Sequence, residues 1–332
     1  MMAQSSPCSI GIVGAGAIVT QHHLPVLLAR PDVRIAYLAD TRNVSALAAI
    51  SGSSAFLLPQ QLDSLPRVDA VLLATPWGAR APYYEAFARA GIPVMAEKPF
   101  AMLETEHAAL IRANPRLTCN YNRRWFSSIL SMKAIMATQP LGRLKSVSVC
   151  ESAMMRGTGK GEQHYQFKRE LSGGGILAER GVHTLSQLDF IFANFDLQVT
   201  AGEGILQDGL DVQVKAALLA TSGDARVPID YFLTLLRPAP SLSVYRFEHA
   251  SISFDHGVPG AQLVMHAGVN QRADSWLVTS RAQLSASEIN QSFHLQWDSF
   301  LATVRGESPL QPEIDTSLRT TTMVEKLYQL MR

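Results

Sequence analysis

The stretch GIVGAGAIVT, residues 11–20, ends an apolar run and opens a helical pattern. Gly14 would make the tight bend after a strand, and Gly16 would let a pyrophosphate approach the backbone at the start of a helix. Val19 stands at the third position of the dinucleotide fingerprint, where glycine or alanine is usual, so the motif alone is also compatible with a glycine-rich loop that binds nothing. Its position between a strand and a helix favours a dinucleotide turn.

An acidic residue, Asp40, ends the next apolar run, RIAYLAD (34–40). A carboxylate at this place accepts hydrogen bonds from the ribose hydroxyls of NAD and repels the 2′-phosphate of NADP. Arg42 could instead bind that phosphate, so NAD is favoured and NADP stays an alternative. The predicted cofactor-binding residues are Gly14, Gly16, Ala17, Ile18, Asp40, Arg42, Thr75, Pro76, Glu97 and Lys98.

Short apolar runs alternate with helical patterns over the first part of the chain, which predicts βαβ units and a parallel sheet. After Tyr121 the apolar runs follow one another closely, which predicts a mostly antiparallel sheet. We therefore expect an α/β Rossmann dinucleotide-binding domain over 1–122, and an α+β domain with a large open sheet over 123–332, to which the resemblance described below assigns substrate binding and oligomerisation. The C-terminal helices are candidates to pack back on the first domain. The runs are SIGIVG (9–14), RIAYLAD (34–40), DAVLLATP (69–76), IPVMAEKP (92–99) and RLTCNYN (116–122) in the first part, and LKSVSVCESAMM (144–155), DVQVKAALLA (211–220), VPIDYFLTLL (227–236), LSVYRFEHASISF (242–254) and AQLVMHAGV (261–269) in the second.

Composition narrows the class of protein. The 332 residues are 47% hydrophobic and 17% charged, with a net charge of +1, which predicts a globular protein without the basic footprint of a nucleic-acid binder. The N-terminus lacks the pattern of a signal peptide, and no apolar run reaches the ~20 residues of a membrane span. Cys8, Cys119 and Cys150 lie far apart, and no His/Cys/Asp cluster has metal-site spacing. We expect a cytoplasmic protein without a metal, membrane or nucleic-acid partner.

A carboxylate and an imidazole share one helical stretch, GGGILAERGVHTLSQLDFIF (173–192). Glu179 and His183 are four residues apart, which places them on one face of a helix. Gly181 between them would leave room for a flat group to approach. The alternative is a surface pair that contributes a few tenths of a kcal/mol to stability.

Several motifs occur together in a characteristic order: the Gly14 segment, DAVLLATP, AGIPVMAEKPF, NYNRRW, GGGILAERGVH, and the tail that begins FHLQWDSF. In this order and spacing the chain resembles the Gfo/Idh/MocA oxidoreductases, the relatives of glucose–fructose oxidoreductase and inositol 2-dehydrogenase. The resemblance extends over most of the chain. The EKP motif (97–99) and the acid-x-Gly-x-His motif (179–183) are its most specific parts.

The resemblance implies an NAD(P)-dependent oxidoreductase that transfers a hydride between nicotinamide and a secondary alcohol or ketone of a sugar, sugar derivative or cyclitol. Lys98 would contact the substrate oxygen, His183 would be the general acid/base, and Glu179 would orient it. It also implies a homodimer or homotetramer. Further candidates for substrate binding are Asn122, Arg124, Tyr165 and Lys168, the last two within the segment 154–171, which is variable in the family.

Two residues depart from the family pattern. Glu179 stands where the family usually has aspartate, and Arg80, in TPWGAR (75–80), stands where histidine is common. One added methylene moves a carboxylate by ~1 Å, a displacement that can cost ~10²-fold in rate. Two alternatives therefore stay open: a non-catalytic NAD(P)-binding sensor or regulator, and a reductase of a diol, imine or tetrapyrrole-like substrate.

Overall fold

A computed structural model describes residues 6–153, 164–269, 272–277 and 286–331, and the side chains of these residues outside 268–288. The chain divides into two compact units. The first comprises 1–100, 105–120 and 293–316, and the second comprises 101–104, 121–292 and 317–332. The chain thus passes into the second unit at Tyr121 and returns to the first at Phe293. The candidate segment 154–171 is described only from His164 onward.

The first unit is built on a six-stranded parallel sheet with the order β3-β2-β1-β4-β5-β6. This order reverses between β1 and β4, and ligands of open α/β sheets bind at such a switch point, outside the carboxyl ends of the strands. The strands are β1 (Cys8–Val13), β2 (Val33–Asp40), β3 (Ser54–Leu57), β4 (Ala70–Leu73), β5 (Val94–Glu97) and β6 (Leu117–Asn120).

The predicted parallel sheet is confirmed, because each of its five predicted runs overlaps one of these strands. Strands β4 and β5 are buried at every position, as expected of a parallel sheet with both faces covered. The sequence did not reveal β3. It is a four-residue edge strand with no buried position, so it lacks the continuous apolar run that marked the other strands.

The helices of the chain are α1 (Leu24–Leu28), α2 (Ser45–Ser51), α3 (Ala81–Arg89), α4 (Glu104–Ala113), α5 (Ser127–Thr138), α6 (Arg169–Ser172), α7 (Val182–Ile191), α8 (Ala286–Val304), α9 (Pro312–Asp315) and α10 (Leu318–Leu330). A π-helical turn precedes α1 at Val19–His23, and another precedes α7 at Leu177–Gly181. π-helical turns are rare in proteins, and many of those that occur lie at functional sites. No helix among the described residues is both long and apolar enough to cross a membrane.

The second unit contains an eight-stranded mixed sheet with the order β14-β13-β12-β11-β7-β10-β9-β8. All neighbours in it are antiparallel except β7 and β10, so the expected mostly antiparallel sheet is confirmed. The strands are β7 (Leu144–Ser152), β8 (Asp196–Gln207), β9 (Leu210–Ser222), β10 (Ala225–Thr234), β11 (Leu242–Phe247), β12 (Ser251–Phe254), β13 (Val264–Val269) and β14 (Arg272–Leu277).

Candidate functional site

The glycine loop of the first unit lies at the switch point of its sheet. Gly14 has a φ of +90°, and a Cβ there would lie 2.7 Å from the carbonyl carbon and oxygen of Ala74. A side chain at this position is therefore excluded by both conformation and space. A Cβ on Gly16 would meet no atom within 4 Å, which leaves open space beside the backbone. Ala17 and Ile18 follow as the first helical residues.

The carboxylate of Asp40 lies beside this loop. Its Oδ2 accepts a hydrogen bond from the backbone N–H of Ala15 (2.7 Å), and its Oδ1 accepts one from the backbone N–H of Arg42 (2.9 Å). Burial alone would raise the pKa of Asp40, but these bonds and the Arg42 guanidinium outweigh it and lower that pKa. Asp40 is therefore an anion at neutral pH. The Arg42 side chain is 69% exposed and can leave the carboxylate to a ligand.

The residues after β4 also fit a dinucleotide. The hydroxyl of Thr75 is buried, and it has no hydrogen-bond partner among the described residues. A Cβ on Gly14 would lie 2.9 Å from the backbone nitrogen of Thr75, so this hydroxyl belongs to a residue of the switch point. Pro76 follows it and is half-buried. Open space at Gly16, an anionic Asp40 and a buried polar group in need of a partner together fit a nicotinamide dinucleotide.

Arg80 holds the turn that carries Lys98. Its guanidinium is buried and donates to the carbonyl oxygens of Thr75 (2.9 Å), Pro99 (2.6 Å) and Glu97. The guanidinium of Arg80, at the start of α3, thus satisfies backbone carbonyl groups of the turn after β5. Lys98 itself is half-buried and stands directly after the last residue of β5. Arg80, noted only as a departure in the sequence, is a structural part of the EKP turn.

The carboxylate of Glu97 is engaged within the first unit. Its Oε1 accepts hydrogen bonds from His23 Nε2 (2.8 Å) and from the side-chain amide of Asn120 (2.6 Å). Trp297 donates its indole N–H to the other ring nitrogen of His23 (3.1 Å). Burial would raise the pKa of Glu97, but the bonds from His23 and Asn120 and the charge of Lys98 lower it. Glu97 is therefore a buried anion directly behind Lys98.

In the second unit, Glu179 and His183 lie at the junction of the π-helical turn and α7. Glu179 is exposed, whereas His183 is 8% exposed and belongs to a helix that is buried over most of its surface. The turn is anchored by the buried carboxylate of Asp211, which accepts from the backbone N–H groups of Gly175 (2.6 Å) and Leu177 (2.7 Å).

The structure corrects the role expected of Gly181. A Cβ at this position would lie 2.7 Å from Leu177 Cδ1 and 2.8 Å from Leu233 Cδ1. The missing side chain thus lets the helix approach the core of its own unit, and it does not open room for a flat group. The expectation was wrong because the spacing of the pair said nothing about which face of the helix Gly181 occupies.

The four expected substrate-binding residues lie in different environments. Arg124 is buried and donates to the carbonyl oxygen of Ser186 (3.1 Å) and to Asp189 Oδ2 (3.0 Å). Asn122 is buried and donates to the hydroxyl of Ser292 (3.1 Å). Tyr165 is 39% exposed in a short 3-10 turn, and Lys168 is half-buried just before α6. No group of metal-binding side chains occurs among the described residues.

Sequence reasoning missed several of these residues. Asn120 was visible only as the last residue of a strand, and Trp297 as part of the C-terminal tail. His23, in QHHLP (21–25), belongs to the helical stretch that follows the glycine motif. Asn120 stands at the end of the last strand of the parallel sheet, but nothing in the sequence marks it as a partner of Glu97. Nothing in the sequence linked Trp297 to them.

Comparison with known proteins agrees with this architecture. Residues 8–121 match the family model described as oxidoreductase family, NAD-binding Rossmann fold, of the Gfo/Idh/MocA proteins. Residues 8–121 thus form the NAD-binding Rossmann domain of this oxidoreductase family. The resemblance inferred from the motifs is confirmed, and its NAD(P)-binding part lies in residues 8–121.

Among Gfo/Idh/MocA relatives, the chain is 23% identical over 287 residues to scyllo-inositol 2-dehydrogenase (NADP(+)) IolW of Bacillus subtilis, covering 80% of this chain and 74% of the relative. It is 27% identical over 139 residues to the uncharacterized oxidoreductase YdgJ of Escherichia coli. That match covers 41% of this chain and 40% of YdgJ, so it spans less than half of that relative.

Solved structures share the fold over nearly the whole chain. KijD10, a 3-ketoreductase from Actinomadura kijaniata, superimposes with a TM-score of 0.81 at 18% identity, covering 98% of both chains. An aldose–aldose oxidoreductase from Caulobacter crescentus gives a TM-score of 0.79 at 17% identity, covering 98% of this chain and 97% of the other. At these sequence identities the structural similarity establishes the fold alone.

Proposed function

We propose that this protein is an NAD(P)-dependent dehydrogenase or reductase that acts on a secondary alcohol or ketone of a sugar, sugar derivative or cyclitol. The observation that carries the proposal is the cluster at the switch point of the first unit. There, open space at Gly16, the anionic carboxylate of Asp40 and the buried hydroxyl of Thr75 stand at the carboxyl ends of β1, β2 and β4. This arrangement suits a dinucleotide whose pyrophosphate meets the glycine loop.

The residues that would hold the cofactor are those of the glycine loop and the strand ends. Gly14 and Gly16 would receive the pyrophosphate, and Asp40 would accept hydrogen bonds from the ribose. A bound nicotinamide dinucleotide supplies the hydride acceptor in the oxidising direction and the hydride donor in the reducing one. The anionic state of Asp40 favours NAD, because it repels a 2′-phosphate. Arg42 keeps NADP as the second candidate.

The chain's own residues would move the proton and fix the oxygen. In the oxidising direction, the imidazole of His183 takes the proton of the substrate hydroxyl as the carbonyl forms, and in the reducing direction it returns a proton to that oxygen. The ammonium of Lys98 would polarise a substrate oxygen. Glu97, held as a buried anion by His23 and Asn120, fixes the backbone from which Lys98 extends. The carboxylate of Glu179 would stabilise the imidazolium.

The substrate class rests on the relatives. IolW of Bacillus subtilis and several bacterial inositol 2-dehydrogenases are named for the oxidation of a cyclitol. The structural neighbours are named as a ketoreductase and an aldose–aldose oxidoreductase. These names denote oxidation or reduction at a hydroxyl or carbonyl group, and the inositol and aldose enzymes are named for polyhydroxylated substrates, so we assign that kind of substrate to this chain.

We also propose that the chain forms a homodimer or homotetramer through the sheet of its second unit. Strands β9 and β10 alternate between fully buried residues such as Leu218 and Leu233 and half-exposed apolar residues such as Leu219 and Phe232. The second set gives that face of the sheet apolar area for a partner to cover. Sedimentation of a single 36.2 kDa species at micromolar concentration would contradict this assembly.

The test of the function is nicotinamide absorbance at 340 nm with a panel of sugars and cyclitols, using NAD and NADP and the wild type beside Lys98→Met. We expect turnover with at least one member of the panel, and a loss of kcat in Lys98→Met that far exceeds any change in the Kd for NADH. Tight NADH binding with no turnover on any member of the panel would favour a sensor over an enzyme.

A further inference from the structure

Two arginines of the second unit share one buried carboxylate. Glu151, near the end of β7, is completely buried, and its Oε1 accepts from Arg123 Nη1 and from Arg180 Nη1, both at 3.1 Å. Arg123 lies in the 3-10 turn Asn122–Trp125, and Arg180 lies in the π-helical turn between Glu179 and Gly181. Three separate elements of the unit thus bring their charged groups to one point.

The cluster carries a surplus of positive charge. Burial would raise the pKa of Glu151, but the neighbouring His256 ring, with Nε2 3.8 Å from Oε2, and the charges of Arg123 and Arg180 lower it to about 2. Glu151 is therefore a single anion facing two guanidinium cations. Within the part of the chain that the structure describes, neither guanidinium has a second carboxylate within 4 Å. One positive charge is left for another group to neutralise.

The donors of the two arginines are arranged to receive such a group. Each guanidinium gives only its Nη1 to Glu151, and for the Nε and Nη2 edges of Arg123 and Arg180 we find no protein acceptor among the described residues. That edge is a planar pair of donors that matches the two oxygens of a carboxylate or a phosphoryl group. The Arg180 side chain is 39% exposed and that of Arg123 is 16% exposed, so the edges are within reach of a solute.

The position of Arg180 links the cluster to the proposed reaction. It stands directly after Glu179 and three residues before His183, close to one turn away along the same helical segment. Glu151 lies behind the two guanidiniums and fixes their orientation. A substrate whose hydroxyl is presented to His183 would therefore carry other substituents within reach of these donors.

We propose that Arg123 and Arg180, oriented by Glu151, bind an anionic substituent of the substrate, so that the substrate is a sugar acid or a phosphorylated sugar and not a neutral polyol. This inference rests on the proposed function, because it names the substrate class of that same site. An anion at this place replaces water around the surplus guanidinium and forms charge-assisted hydrogen bonds with it. Such bonds to a charged group correspond to about 10- to 100-fold in affinity.

The test compares sugars that differ only in the anionic group: glucose, glucuronate and glucose 6-phosphate, each with NAD and NADP. We expect the wild type to oxidise glucuronate or glucose 6-phosphate with a kcat/KM at least about tenfold above that for glucose. The preferred anion identifies the source as a carboxylate or a phosphoryl group.

Arg180→Met should raise the KM for that anion about 10- to 100-fold with little change in kcat, and should leave the KM for glucose unchanged. Arg180→Lys keeps the charge but loses the two-donor edge, so its KM should be intermediate.

Arg246→Met is the matched control, since Arg246 is an exposed arginine of β11 in the same unit that bonds only to Ser148 among the described residues. It should change none of these values. A wild type that oxidises glucose as well as its anionic counterparts, or an Arg180→Met variant that loses all three equally, overturns the anion site and leaves the oxidoreductase intact.

If no sugar is oxidised, the proposed reaction fails and the anion site is judged by binding alone. Glucuronate or glucose 6-phosphate, but not glucose, should then raise the Tm of the wild type and not that of Arg180→Met. The absence of any shift in the wild type overturns the anion site as well.

Discussion

The indole N–H of Trp297 donates a hydrogen bond to Nδ1 of His23, although 274 positions separate the two residues in the sequence. The nitrogen that accepts this bond carries no proton, so the ring proton lies on Nε2 and is donated to Glu97. Trp297 therefore selects the tautomer of His23 that satisfies the buried carboxylate behind Lys98. Removing one partner from a buried polar network leaves a desolvated group without its hydrogen bond, which costs more than the bond itself contributes.

Replacing Trp297 by Phe tests this relationship, because it keeps an aromatic ring and removes the donor. His23 Nδ1 then loses its hydrogen bond in a fully buried site, and we expect a loss of about 1–3 kcal/mol in the free energy of unfolding, measured by urea denaturation. Trp77→Phe is the matched control, since Trp77 donates to Glu106 at a partly exposed site of the same unit. The free energy of unfolding of Trp77→Phe should fall by no more than about 0.5 kcal/mol. Equal effects of the two substitutions would contradict the tautomer argument.

The cofactor preference depends on Asp40. Asp40→Ala should weaken NADH binding about 10- to 100-fold, because the ribose loses a charged acceptor, and should weaken NADPH binding far less, because the repulsion of the 2′-phosphate is also removed. Fluorescence titration of both reduced cofactors measures the two effects. Asp69→Ala is the control, since Asp69 pairs with Ser9 at the amino end of β1, away from the glycine loop. If NADH and NADPH weaken by the same factor, Asp40 does not contact the 2′-hydroxyl.

Arg80 should matter for both stability and the Lys98 turn. Arg80→Ala leaves the carbonyl oxygens of Thr75, Glu97 and Pro99 without their shared donor, and we expect a loss of about 3 kcal/mol in the free energy of unfolding. Arg80→His restores the residue common in the family, but an imidazole has fewer donors, so the loss should be only partly recovered. Arg89→Ala, at an exposed position of the same helix, should cost less than about 0.5 kcal/mol. Full stability in Arg80→Ala would show that the turn does not depend on the guanidinium.

The strands of the first unit and the position of Asp40 could be predicted from the sequence, whereas the partners of Glu97 could not. The Rossmann sheet was predictable because β4 and β5 are continuous apolar runs that only a doubly covered parallel sheet accommodates. Asp40 was placed at the cofactor loop because it ends the strand that follows the glycine motif. The partners of Glu97 were not predictable, since His23, Asn120 and Trp297 meet only after the chain has folded.

The roles of glycine and arginine were the least predictable. Gly181 lies close to the core and not beside an open site, because the direction of each position around a π-helical turn depends on tertiary packing. In the sequence, Arg80 was marked only as a departure from the family pattern, and Arg180 was only a charged residue next to Glu179. Their significance lies in the acceptors that they meet, which come from segments distant in the chain.

The substituted acid of the family motif provides a graded test of the proposed chemistry. Glu179→Gln removes the charge that would stabilise the imidazolium of His183, so we expect turnover to fall at least about tenfold with an unchanged Kd for NADH. Glu179→Asp restores the residue usual in the family and withdraws the carboxylate by ~1 Å, and we expect turnover to fall as well. An increase in turnover of Glu179→Asp would instead indicate that the site retains the geometry of an aspartate.

The most direct test of the account is the turnover of His183→Ala, measured at 340 nm with a substrate that the wild type oxidises. Without the imidazole no group of α7 takes the hydroxyl proton, and we expect kcat to fall by about 10²- to 10⁴-fold while the Kd for NADH, measured by fluorescence titration, stays at the wild-type value. This loss should exceed that of either Glu179 variant. A His183→Ala protein that keeps most of the wild-type kcat would contradict the central claim and would leave Lys98 as the group that handles the proton.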